Sequence, residues 1–105
     1  MKWQYWQAAF LQTHSTGRGL RSTTIGAYQA TLKAFVAWKD VKYPGLEPDA
    51  VRVIQVLEYV EFLRTARRNG PSAVNRAVTV LRIFYRAMVA MDLLEPRDNP
   101  MANFP

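Results

Sequence analysis

The chain has 105 residues, no cysteine, and fourteen Lys and Arg against eight Asp and Glu, a net charge of +6. That length makes one small domain, and half of it is apolar, so it can bury a core without staples. Disulfide scaffolds and cysteine-rich zinc sites are excluded. No apolar run approaches a membrane span, no signal-peptide pattern opens the chain, and a reducing, cytoplasmic setting is expected.

Helical spacing of apolar residues predicts four helices, over about 2–13, 23–39, 50–68 and 73–91, and nothing reads as a strand. The first carries Trp3, Trp6 and Phe10 on one side. Ser15-Thr16-Gly17-Arg18-Gly19 reads as a loop. Ser22 or Thr23 then caps the second helix, whose apolar stripe is Ile25, Tyr28, Leu32, Phe35 and Val36. Ala27, Ala30, Ala34 and Ala37 form a small-residue face on it, and Lys33 and Lys39 could extend a basic surface, although single lysines there are usually just solvated.

Tyr43-Pro44-Gly45 breaks the chain, and Asp49 is a candidate cap for the third helix, where Val53, Val56, Leu57, Val60 and Leu63 point inward. Asn69-Gly70-Pro71 stops that helix, with glycine suited to the left-handed position past its end. Ser72 caps the fourth helix, whose stripe is Val74, Ala77, Val78, Leu81, Phe84, Tyr85 and Met88. Residues 92–105 are turn-rich and read as an exit linker.

Charge is segregated along the chain. Five of the eight acids (Asp40, Glu47, Asp49, Glu58 and Glu61) fall between positions 40 and 61, with arginines on either side. A basic excess favours anionic partners, nucleic acid foremost. On a wheel of ~100° per residue with Val74 at zero, Asn75, Thr79, Arg82 and Arg86 fall between roughly 80° and 140°, with Arg76 near 200°. The stripe offers amide, hydroxyl and guanidinium groups and no acid. Arginine can clamp phosphate or read guanine, asparagine can read adenine, and threonine can reach phosphate. A helix N-terminus at Ser72 adds backbone donors. On an arbitrary helix such a stripe is merely solvated; the third helix, with Glu58 and Glu61 outward, is the internal contrast. The glycine- and arginine-bearing loop from Ser15 to Arg21 is a second phosphate candidate, or a plain connector.

Catalysis finds little support. His14 is the lone histidine and reads as a surface or capping residue. Tyr5, Tyr28, Tyr43, Tyr59 and Tyr85 lack the surrounding cations a nucleophilic tyrosine needs. Glu58 and Glu61 are three apart but have no further ligands for a metal. No cofactor and no metal are expected.

Two stretches carry a family resemblance. Gly19-Leu20-x-Ser22-x-Thr24-Ile25-x-x-Tyr28-x-x-x-Leu32-x-x-Phe35 is followed by Gly70-x-Ser72, Asn75-Arg76-x-Val78-x-x-Leu81-Arg82-x-Phe84-Tyr85 and Asn99-Pro100. Together they resemble the N-terminal core-binding domain of tyrosine recombinases, the phage-integrase family. The resemblance implies an all-α fold, a small four-helix (SAM-like) orthogonal bundle with room for an extra short helix near 49–55. It also implies half of a clamp around duplex DNA at a recombination core site, with the second and fourth helices facing the major groove. Ser22, Thr24, Ser72, Asn75, Arg76, Thr79 and Arg82 would then touch DNA; Arg86 joins them from the wheel alone, and Arg21 from the Ser15–Arg21 loop.

In the family the catalytic tyrosine and its partners lie in a following domain. This piece alone is therefore expected not to cut or join DNA. Its expected partners are double-stranded DNA, the catalytic domain of its parent chain and other recombinase protomers, with no membrane. The alternative is a helical protein–protein module that uses the Trp3/Trp6 helix or the alanine face and has no nucleic-acid role.

Overall fold

The computed structural model describes residues 2–14 and 21–105, and the chain forms two compact units, Met1–Pro48 and Asp49–Pro105. Four α-helices order the described residues: α1 (Lys2–Gln12), α2 (Ser22–Lys42), α3 (Val53–Thr65) and α4 (Pro71–Ala90). Short 3₁₀ helices lie at Pro48–Ala50 and Pro96–Asp98, and no described residue is in a strand. The fold is all-α, and the first 3₁₀ helix takes the place of the extra helix expected near 49–55.

In the first unit, Trp3, Trp6 and Phe10 recur at helical spacing and are buried, as are Leu32 and Phe35. Aromatic pairs stitch α1 to α2: Trp3 meets Phe35 edge-on at 6.0 Å, and Phe10 stacks near Tyr28 at 6.0 Å. The turn after α2 has Pro44 at its second position and Gly45 at φ 86°. Leu46 N–H donates to the Tyr43 carbonyl at 3.1 Å. That is a type II turn, whose third position needs the left-handed backbone glycine tolerates.

The turn presents the Leu46 carbonyl to two donors, the Trp3 indole at 2.7 Å and the Lys39 ammonium at 3.1 Å. Lys39 also pairs with Asp40 at 2.6 Å and lies 5.7 Å from the Trp3 ring centroid. Only 4 % of it is exposed. This corrects the expectation that Lys39 widens a basic surface; its charge is spent on a carbonyl, a carboxylate and a ring. His14 is likewise buried rather than on the surface, with Nδ1–H donating to the Phe10 carbonyl at 3.0 Å. Its Nε2 has no hydrogen-bond partner among the described residues.

In the second unit α3 begins at Val53, three residues later than expected. Arg52 is extended (φ −112°, ψ 161°), and its N–H donates to Gln55 Oε1 at 2.8 Å, half of a capping box. The buried face is Val56, Tyr59, Val60 and Leu63. Val53 and Leu57 are more than a third exposed, against expectation. Once Tyr59 enters the core, Leu57, about 100° round from Val56, is turned outward.

Two end signals also differ. The left-handed residue past α3 is Arg68 (φ 53°), not Gly70 (φ −73°). Gly70 is instead the N-cap of α4, and Ser72 lies inside the first turn. Pro71 explains the shift, because its fixed φ and missing N–H suit the first helical position. At α2, Arg21 is the N-cap with no side-chain bond, and Ile25 N–H closes the first turn on the Arg21 carbonyl at 3.0 Å.

α4 buries Val74, Ala77, Val80, Leu81, Phe84, Tyr85 and Met88. Residues 92–105, expected as an exit linker, are themselves packed. Leu94, Pro100 and Met101 are buried, and Met101 N–H donates to Asn99 Oδ1 at 2.8 Å.

Candidate nucleic-acid interface

Burial fixes the orientation of α4. Its buried residues span roughly 240° to 380° on the ~100°-step wheel centred as above. Ser72, Asn75, Arg76, Thr79, Arg82 and Arg86 span roughly 80° to 200° on the same wheel, the opposite side. Ser72, Asn75, Arg76, Thr79 and Arg86 are exposed. The helix has this shape because large apolar residues recur every three or four positions, which leaves a sector that is polar apart from Ile83 and Ala90. The structure thus brings six of the nine candidate residues onto one face, and no acid interrupts it.

The guanidinium groups on that face differ. Arg76 and Arg86 have no hydrogen-bond or ion-pair partner among the described residues. Arg82 is half-buried, donates from Nη2 to the Phe104 carbonyl at 3.2 Å and lies 5.9 Å from the Phe104 ring centroid. One of its five N–H donors is committed to the chain's own backbone, which leaves four for other acceptors.

Arg21, Ser22 and Thr24 lie in the other unit, at the N-terminal end of α2. Arg21 and Ser22 are exposed and Thr24 is half-buried. The loop candidates Ser15 to Leu20, Arg18 among them, fall outside the described residues. Trp3 and Trp6, offered for the protein–protein alternative, are buried, whereas the alanine face of α2 is exposed.

Sequence reasoning overlooked Arg64, Arg67 and Arg68, all exposed at the end of α3. The signal was present in Arg64-Thr65-Ala66-Arg67-Arg68, three arginines in five positions directly before a helix start. A cleft of about 610 Å³ in the same unit is lined by Asp49 and Asp98 as well as Arg52 and Arg97. Its balanced charge gives an anion no advantage.

The environments of Tyr85 and Tyr59 run against nucleophilic chemistry. Burial, and then the Asp49 carboxylate, push the Tyr85 phenol well above its ordinary value. Burial also raises Tyr59, with Arg67 opposing. A nucleophilic phenol needs the reverse shift. Among the described residues no three His, Cys, Asp or Glu side chains cluster to hold a metal, and no helix is long and apolar enough to cross a membrane.

A small all-α domain with one acid-free, arginine-bearing helix face is the class that fold and surface define. The sequence matches the family model described as the phage integrase N-terminal SAM-like domain over residues 8–95. The chain belongs to that family, the N-terminal SAM-like domains of phage integrases, which are tyrosine recombinases. No curated protein and no solved structure matches it.

Proposed function

We propose that the chain is the DNA-binding domain of a site-specific tyrosine recombinase and clamps duplex DNA at a recombination core site. The observation that carries this is the α4 face, where Asn75, Arg76, Thr79 and Arg86 stand exposed opposite the buried sector. Arginines neutralise phosphates there, and Asn75 and Thr79 are of the length and chemistry to reach base edges or sugar–phosphate. Ser22 and Thr24 of α2 contact the duplex from their own unit, as the family's second helix implies, with the N-cap Arg21 beside them. The domain does not perform strand cleavage; a catalytic domain of the parent chain does, in the cytoplasm, with other protomers on the same DNA.

A titration of labelled duplex DNA followed by fluorescence anisotropy tests this. Saturable binding that weakens steeply between low and moderate salt is expected, because each neutralised phosphate releases counterions. No binding at low salt would overturn it. One observation favours a second reading, a protein–protein module: Val53, Ile54 and Leu57 are exposed together at the start of α3. Self-association without DNA binding would support that reading instead.

A further inference from the structure

The junction between α3 and α4 concentrates positive charge at a helix C-terminus, whose dipole favours cations. Arg64, Arg67 and Arg68 are all exposed, and none of the three guanidinium groups has a hydrogen-bond or ion-pair partner among the described residues. The dipole accounts for the presence of cations there but occupies none of their N–H donors, which stay available to an anion.

The backbone adds a second anomaly at the same place. Arg68 sits at φ 53°, one of two described non-glycine residues with positive φ. Glycine would occupy that conformation without strain. A glycine is available two residues later, yet Gly70 sits at φ −73°, where any residue would serve. The Arg67 N–H reaches the Phe62 carbonyl at 3.1 Å, and the Asn69 N–H reaches Leu63 at 2.8 Å, so the turn is over-determined by its hydrogen bonds. Arginine therefore holds a position that glycine would fill at less backbone cost, and its side chain is free to serve another role.

We propose that Arg64, Arg67 and Arg68 form a phosphate-binding patch that grips the duplex backbone beside the α4 face, independently of base sequence. The proposal rests on the reading of α4 as a DNA surface and extends it to a second set of contacts. The patch and the face lie in one unit. From Arg68 to Ser72 the chain spans at most ~14 Å, and duplex DNA carries a charge every ~1.7 Å of its axis, so one duplex presents phosphates to both. Arginine suits the role better than lysine, since its planar fork donates two parallel hydrogen bonds to a phosphate.

The test is Arg68→Gly, beside a variant carrying Arg64→Gln, Arg67→Gln and Arg68→Gln, titrated against two labelled duplexes of unrelated sequence over a range of salt. Glycine relieves the backbone, so Tm of Arg68→Gly rises by roughly 2–4 °C. Its affinity for both duplexes falls about eightfold near 0.1 M salt, and the slope of log K against log salt shrinks by about 0.9. The triple variant loses about 2.7 from the slope on the same basis. A domain that becomes more stable while binding less is the expected signature. If both variants bind like the parent while the parent binds steeply with salt, the patch is overturned and the α4 reading stands. If the parent itself binds neither duplex, both fall.

Discussion

Arg82 separates two roles that a single charge-reversal experiment would confuse. Its guanidinium donates to the Phe104 carbonyl at 3.2 Å and lies 5.9 Å from that ring's centroid. A hydrogen bond from a charged donor contributes about 1.5 kcal/mol and a partly exposed cation–π contact about 0.5 kcal/mol, so the clasp is worth ~2 kcal/mol. That energy acts on the chain's last residues only. Met101 is buried and is held separately by Asn99, so releasing the clasp frees residues 102–105 and leaves the core intact.

Replacing Arg82 by glutamate would also repel phosphates from the whole face, and loss of binding would not show that Arg82 itself makes a contact. Arg82→Gln removes the charge without adding the opposite one. For this variant, Tm is expected to move by less than ~2 °C, because the clasp is local. Hydrogen exchange at the Phe104 amide, which donates to Met101 at 3.3 Å, should speed up by as much as ~30-fold, the equivalent of ~2 kcal/mol. The parent residue keeps four donors, which the proposed DNA role assigns to phosphate. The salt slope of Arg82→Gln should therefore fall by about 0.9. An unchanged affinity and slope, with the amide deprotected, would refute the DNA role and leave Arg82 as a clasp for the C-terminal segment.

Burial raises the phenols of Tyr85 and Tyr59 above their unfolded values, so their contribution to stability is complete below pH ~10 and is lost as pH climbs beyond it. Denaturant unfolding should show stability falling by about 1.4 kcal/mol per pH unit from Tyr85, and Tyr85→Phe should remove that share of the slope; parallel curves for parent and variant would contradict it. Trp3→Phe keeps a ring but removes the indole donor from the Leu46 carbonyl. With the weakened cation–π contact to Lys39, it should cost ~2 kcal/mol, a fall in Tm of ~9 °C by calorimetry. Asp92, the other left-handed non-glycine residue, lies at φ 60° past the end of α4, and Asp92→Gly should raise Tm by roughly 2–4 °C without weakening DNA binding.

Much of the fold was legible because side-chain type and helical period agree. Trp3, Trp6 and Phe10 on α1, and Val74 to Met88 on α4, are large apolar residues at helical spacing, and every one named in those stripes is buried or half-buried. Period alone could not orient α3. Val53, Leu57 and Tyr59 are comparably apolar, and the choice was made by which of them the core accepted. Lys39 escaped for a different reason: lysine is almost always solvated, and nothing local announces a carbonyl seven residues onward, exposed by a type II turn. The α3–α4 turn was misassigned for a related one. Gly70 is the natural occupant of a left-handed position, but Pro71 claimed it as the residue before a helix, and the strain passed to Arg68.

The same division applies to the candidate interface. Its α4 half follows from the core, since a polar face is the complement of a buried one, and the arginines there need no special backbone to reach solvent. The commitment of Arg82 to Phe104 was not legible, because it depends on where a segment twenty-two residues away folds back. Arg64, Arg67 and Arg68 were visible as letters but not as a surface, since three arginines at a helix end usually mean only solubility. What distinguishes them is a conformation that costs energy and three charges left unpaired. Neither can be read from residue type, because both depend on where the turn places the chain. That makes Arg68→Gly more informative than any charge reversal on α4. A stabilising substitution that costs affinity separates function from fold, whereas a destabilising one leaves them entangled.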